Sequence, residues 1–100
     1  MLEFNNKESI KFTVDSIEKT VTVNDEEIKL TTKEFLIFEY LFERRGQLCS
    51  RKTMLREIFG YHEEAETRII DVYVKYLRSK LKKEGKKIET IRGKGYIFHD

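Results

Sequence analysis

Residues 67–98 read TRIIDVYVKYLRSKLKKEGKKIETIRGKGYIF, and this stretch decides the fold. Ile70, Val74, Leu77 and Leu81 recur at helical spacing within a narrow arc of the wheel, which predicts a helix over residues 67–83 with that stripe turned to a core. Glu84-Gly85 then marks a turn. A strand is expected over residues 88–91, a glycine-rich tip at Arg92-Gly93-Lys94-Gly95, and a returning strand over residues 96–98. The product is an amphipathic helix followed by a hairpin with a basic tip.

The side of this helix opposite the apolar stripe carries Arg68, Val72, Lys75, Tyr76 and Ser79, because each residue turns the helix by about 100°. A face that meets only solvent is usually built of Glu, Lys and Gln. This one has two cations, a hydroxyl, an aromatic ring and a valine, and no carboxylate. The mixture suits the major groove of DNA: cations and hydroxyls hold phosphates, an apolar side chain meets a thymine methyl, and a tyrosine hydroxyl donates to a base edge or phosphate. The competing reading packs Val72 and Tyr76 against neighbouring elements. At the hairpin tip, glycines beside Arg92 leave its guanidinium room to enter a narrow minor groove, and Lys94 adds a phosphate contact. A plain hairpin whose glycines serve turn geometry is the alternative.

Upstream, Thr31-Thr32-Lys33-Glu34 has the Thr-x-x-Glu spacing of a capping box. A first helix is expected over residues 32–45, with Phe35, Phe38, Leu41 and Phe42 on its apolar face. Arg44-Arg45 would complement its C-terminal dipole, and Gly46 would cap it. Ser50 caps a second helix over residues 51–59, whose Met54, Leu55, Ile58 and Phe59 turn inward before Gly60 stops it. Residues 60–66 have no periodicity and read as an exposed acidic loop. Before residue 31, apolar and polar side chains alternate: Leu2 and Phe4, then Ile10, Phe12 and Val14, then Val21 and Val23, then Ile28 and Leu30. Asn5-Asn6, Asp15-Ser16 and Asn24-Asp25 fall between these runs, so a small antiparallel sheet of three or four strands is expected.

The 100 residues suffice for one domain with one modest core. The formal charge of +2 hides an asymmetry: residues 1–66 carry 10 basic and 14 acidic side chains, residues 67–100 carry 10 and 4. The balance moves from −4 to +6, which points the C-terminal third toward a polyanion, with a solvated basic surface as the alternative. No apolar run approaches a membrane span, no secretory signal is evident, and a single cysteine cannot form an internal disulfide, so a soluble cytoplasmic protein is expected. Cys49, His62 and His99 lack metal-ligand spacing, and a buried or partly buried thiol is the expectation for Cys49. Asp25, Glu26 and Glu27 fall at a turn with no apolar pocket to perturb them, and the Gly-Lys-Gly tip joins two strands instead of opening a helix as a phosphate-binding loop does. No catalytic residue, cofactor or metal is expected, and an enzyme is the weakest reading.

Helix, turn, basic amphipathic helix and basic hairpin, in that order, form the winged helix-turn-helix plan, an α+β fold with a small N-terminal antiparallel sheet, three helices and a C-terminal β-hairpin wing. The motifs Leu30-Thr31-x-x-Glu34-Phe35, Gly46 followed by Ser50-Arg51, Arg68-x-x-Asp71-Val72, Leu77-Arg78-x-Lys80-Leu81 and Thr90-x-Arg92-Gly93-x-Gly95-Tyr96 resemble the OmpR/PhoB family over nearly the whole chain. That resemblance implies a four-stranded N-terminal sheet, the third helix in the major groove and the wing on the adjacent minor groove. It implies that Arg68 and Arg78 lie near the DNA backbone, that Val72 and Tyr76 face bases, and that Thr90 and Arg92 are wing contacts; Tyr73, Lys75, Ser79 and Lys94 complete the expected DNA-binding set. The loop with Tyr61, His62, Glu63 and Glu64 matches a segment that touches RNA polymerase in some relatives. Family members bind direct-repeat operators as head-to-tail dimers and are controlled by a receiver domain and a sensor histidine kinase. The 100 residues leave no room for a receiver, so an excised effector domain is expected, monomeric until it pairs on DNA, with a stand-alone regulator as the alternative. Two positions depart from the family: Tyr76 stands where arginine is frequent, so operator preference is expected to differ, and Phe59 replaces a common tryptophan. A winged helix that docks another polypeptide and binds no nucleic acid is the competing function, since fold alone does not fix activity.

Overall fold

A computed structural model describes residues 11–60 and 67–99. The expected strand at Leu2 and Phe4, Ile10, and the acidic loop carrying Tyr61, His62, Glu63 and Glu64 lie outside the described residues.

The described residues begin with β1 (Phe12–Asp15), β2 (Thr20–Val23) and β3 (Glu26–Lys29), an antiparallel sheet in the order β1-β2-β3. The alternation works as expected: Val21 and Val23 are buried while Phe12, Val14 and Ile28 are half-buried against the same core. Asn24 and Asp25 form the two-residue connection between β2 and β3, with φ of 49° and 74°. Positive φ at both central residues is what a type I′ hairpin turn requires, and Asn and Asp tolerate it best after glycine. Asp15 closes the preceding turn by accepting the N–H groups of Ile17 and Glu18 at 3.0 Å each.

Helix α1 (Thr32–Glu43) begins with the predicted capping box: the Thr31 N–H donates to Glu34 Oε1 at 2.9 Å, and the Glu34 N–H donates to Thr31 Oγ1 at 3.3 Å. Phe35, Ile37, Phe38 and Leu41 are buried. The helix ends two residues earlier than expected, with Arg44 at the C-cap. The two arginines still satisfy terminal carbonyls, Arg44 donating to Tyr40 O at 3.1 Å and Arg45 to Phe42 O at 2.7 Å. Gly46 is not the cap; its N–H donates to Phe98 O at 2.8 Å and fastens the end of α1 to the last strand.

The second helical segment is α2 (Arg51–Met54), capped by Ser50 Oγ on the Thr53 N–H at 3.1 Å, and it runs on as a π-helical turn over Leu55–Phe59 where a plain α-helix was expected. Met54 and Leu55 are buried, while Ile58 and Phe59 are only half-buried. Gly60 ends the segment in the left-handed conformation, φ 78°, which a side chain rarely adopts. Helix α3 (Arg68–Leu81) buries Ile70, Val74, Leu77 and Leu81 as its spacing predicted. It stops two residues short of the expected end, and a 3-10 segment Lys82–Lys87 replaces the simple turn.

The hairpin of β5 (Ile88–Ile91) and β6 (Gly95–Phe98) closes the chain. It is part of a three-stranded sheet, because β4 (Cys49–Ser50) pairs with β6 through Cys49 with Tyr96 and Ser50 with Gly95. Gly95 belongs to the strand and not to the tip, so the loop is residues 92–94. A Cβ at Gly95 would stand 2.1 Å from Cys49 O, so only glycine admits the close approach of β4. Phe98 carries the wing into the core: with Phe12, Phe38 and Phe42 it forms a ring cluster whose centroids lie 5.3 to 5.9 Å apart.

Candidate nucleic-acid interface

Helix α3 presents three flanks besides its buried stripe. Arg68, Val72, Lys75, Tyr76 and Ser79 are all exposed and share one face. Val72 is 46% and Tyr76 51% exposed, so neither is consumed by packing against its neighbours. Among the described residues this face contains no carboxylate.

On the wing side, Asp71 and Arg78 lock α3 to the hairpin. Arg51 Nε donates to Asp71 Oδ1 at 2.7 Å, and the Tyr96 hydroxyl donates to the same oxygen. One carboxylate thereby joins the start of α2, the first turn of α3 and strand β6. Burial, and then the hydrogen bond to the Asp71 carboxylate, push the Tyr96 phenol up to about 12, while that carboxylate raises the Arg51 guanidinium further still. Arg78 donates to Ile88 O through Nε at 3.1 Å and Nη2 at 2.6 Å, and Nη2 also reaches Thr90 Oγ1 at 2.7 Å. Arg78 and Thr90, expected separately as contacts, are therefore bonded to each other, and Arg78 is half-buried in the helix-wing junction.

On the opposite side, Tyr73 is half-buried against the core, its ring 5.7 Å from Phe59 and 6.4 Å, edge-on, from Tyr76. Lys33 Nζ sits 4.7 Å above the Phe59 ring. Lys33, Phe59, Ile69, Val72, Tyr73 and Tyr76 line a groove of about 380 Å³.

Arg92 and Lys94 are exposed at the wing tip. Lys94 and Gly93 border a notch of about 310 Å³ with Ser50, Arg51, Lys52 and Thr67, which brings the wing tip beside the starts of α2 and α3. The sequence reading missed Lys52, Thr67 and the positioning roles of Arg51, Asp71 and Tyr96. Asp71 and Tyr96 stood within the quoted motifs, but partners twenty or more positions apart leave no local spacing to read. Cys49 is buried, and that burial pushes its thiol up.

One long-range pair ties this interface to the rest of the domain. Lys80 Nζ on α3 donates at 2.7 Å to Glu34 Oε1, the capping-box carboxylate of α1, whose side chain is 5% exposed. Burial alone would raise the Glu34 carboxyl, but Lys80 and the Thr31 N–H outweigh it and hold it below its usual value.

The arrangement matches known proteins. A family model described as "Transcriptional regulatory protein, C terminal" covers residues 25–98. The chain is 42% identical over 88 residues to the response regulator ArlR of Staphylococcus aureus, covering 86% of this chain and 40% of that protein, so it spans well under half the length of this relative. Among solved structures, the RstA DNA-binding domain of Klebsiella pneumoniae in complex with the RstA box is similar at a TM-score of 0.79 and 29% identity, over 91% of this chain and 94% of that one. The DNA-binding domain of CpxR from E. coli is similar at a TM-score of 0.78 and 26% identity, over 89% and 90%. Both likenesses extend over about nine tenths of this chain, which carries the sheet, three helices and terminal hairpin described above. The chain belongs to the family of OmpR/PhoB-type transcriptional regulatory protein C-terminal domains.

Proposed function

We propose that this chain is a sequence-specific double-stranded DNA-binding domain that regulates transcription, with α3 in the major groove and the wing on the adjacent minor groove. The observation that carries this reading is the carboxylate-free face of α3, bearing two cations and two half-exposed apolar side chains and flanked by a wing whose tip carries Arg92 and Lys94. Arg68, Lys75 and Ser79 are assigned to the phosphate backbone, Val72 and Tyr76 to base edges, and Arg92 to the minor groove. Lys94 is assigned to the phosphate backbone too, a reading supported by Lys52 and Thr67, which border the same notch. Thr90, Arg78 and Tyr73 act from behind, as supports of the wing and of Tyr76.

The family resemblance supports the wider setting: a cytoplasmic effector domain of a two-component response regulator, joined to a receiver domain under a sensor histidine kinase. It pairs head to tail on a direct-repeat operator and meets RNA polymerase through residues 61–64. No catalytic role enters this reading. A docking module for another polypeptide would not need a wing tip of glycine and cations. The two are separated by titrating labelled duplex DNA at several salt concentrations with the wild-type chain, Arg92→Ala and Tyr76→Ala. Arg92→Ala is expected to weaken binding to all sequences and flatten the salt slope, and Tyr76→Ala to change which sequences are preferred. Equal effects of both variants on every sequence contradict the assignment.

A further inference from the structure

The major groove offers hydrogen-bonding edges at every base pair but only one apolar feature, the 5-methyl group of thymine. Helix α3 contains no Asn or Gln, the side chains that pair bidentately with adenine, and places Val72 and Tyr76 one helical turn apart on its exposed face. Tyr76 is 51% exposed yet not loose: its ring meets Tyr73 edge-on at 6.4 Å, and Tyr73 in turn rests against Phe59 at 5.7 Å. The half-buried Phe59 and Tyr73 are anchored against the core, so the strip Phe59-Tyr73-Tyr76 is a supported apolar wall. With Val72 it borders a groove continuous with the face assigned to DNA.

We infer that this wall reads thymine methyl groups, with Tyr76 as a specificity-determining residue and Tyr73 and Phe59 as its positioning residues. The inference rests on the DNA-binding reading and deepens it: the preferred duplex carries thymine opposite the Val72–Tyr76 turn of α3, and the ring of Tyr76, more than its hydroxyl, makes the discrimination. Burying one methyl group contributes about a fourfold change in affinity.

The test begins with the duplex that the chain enriches from a randomised library. Each thymine is replaced in turn by deoxyuridine, which keeps every hydrogen-bonding group and lacks only the methyl. Wild type is expected to lose about fourfold at one or two positions in each half-site. Tyr76→Phe should keep that discrimination and Tyr76→Ala should abolish it at one of those positions, with unchanged thermal melting because the ring is half exposed. Wild-type indifference to uridine at every position overturns the inference while leaving sequence-specific binding intact. So does a Tyr76→Ala variant that discriminates as well as wild type, or an enriched half-site without thymine. Failure to enrich any sequence overturns the DNA-binding reading itself, and the inference falls with it.

Discussion

The Tyr96 hydroxyl on β6 donates to the Asp71 carboxylate in the first turn of α3, and Arg51 Nε shares the same oxygen at 2.7 Å. The helix that would enter the major groove and the strand that carries the wing are thus fixed to one another by a single carboxylate. Together with the Arg78 guanidinium on Ile88 and Thr90, this fixes the angle between helix α3 and the hairpin within the chain itself.

Tyr96→Phe removes that donor while keeping the ring. A hydrogen bond to a charged group contributes about 1.5–3 kcal/mol, and partial exposure of Asp71 places the expected cost near the lower end. The phenol is raised to about 12, first by burial and then by Asp71, so the native state favours its protonated form. The stability it adds is complete below a pH of about 10 and is lost as pH rises through about 12. Ultraviolet titration of the tyrosines and alkaline unfolding curves check this: wild type should lose stability over that window more steeply than Tyr96→Phe, and parallel curves would contradict it.

Arg78→Lys keeps the charge but cannot donate in a fork to Ile88 O and Thr90 Oγ1 together. A loss of about 1–2 kcal/mol in stability is expected, with DNA affinity reduced at every sequence because the wing is no longer held at its angle. Calorimetry beside DNA titration separates this from a direct phosphate contact, for which affinity would fall while the melting temperature stayed put.

Glu34 links acid stability to the interface. Its carboxyl lies below its usual value of 4.5 in the folded chain, so the stability it contributes is present above that value and lost as pH falls through the lower folded pKa. Glu34→Gln can still accept the Thr31 N–H but loses the Lys80 charge pair. The stability difference between wild type and Glu34→Gln should therefore shrink in urea unfolding as the buffer is taken from neutral to below pH 4.5. An unchanged difference would show that the pair contributes nothing. Glu34→Ala, which also breaks the capping box, should cost a further ~1 kcal/mol at neutral pH.

Gly95→Ala places a Cβ against the Cys49 carbonyl, and backbone is on both sides of the clash. Separation of β4 from β6 is expected, with about 1–3 kcal/mol lost and a melting temperature lower by roughly 4–8 °C for each kcal/mol. Amide exchange should show the loss concentrated at residues 49–50 and 95–96. A variant as stable as wild type would mean that β4 does not hold the wing.

Much of this was legible in the chain, and the reasons differ by residue. Ile70, Val74, Leu77 and Leu81 announced α3 because burial of one helix face imposes its own period. Thr31 and Glu34 announced the start of α1 because both partners of a capping box sit three residues apart. Asn24-Asp25 announced a turn because few residues accept positive φ in succession. The two-residue strand β4 was invisible, since Cys49 and Ser50 are too short a run to alternate and pair only with β6, over forty positions away. The π-helical turn at Leu55–Phe59 likewise has no sequence period distinct from the helix it continues. At the interface, exposed residues were readable from the helical wheel. What lay beyond reading was the pairing of Arg78 with Thr90: each is a residue type that suits a phosphate contact, and only their 2.7 Å approach reveals them as hydrogen-bond partners.

The central claim is tested most directly by selecting a randomised duplex library with the purified chain and titrating the enriched sequences at several salt concentrations. Sequence-specific recognition by α3 and the wing predicts enrichment of a direct repeat, bound with an affinity that falls steeply and linearly, on logarithmic axes, as salt rises. A library that emerges unenriched at low and moderate salt, or binding that ignores salt, would contradict it.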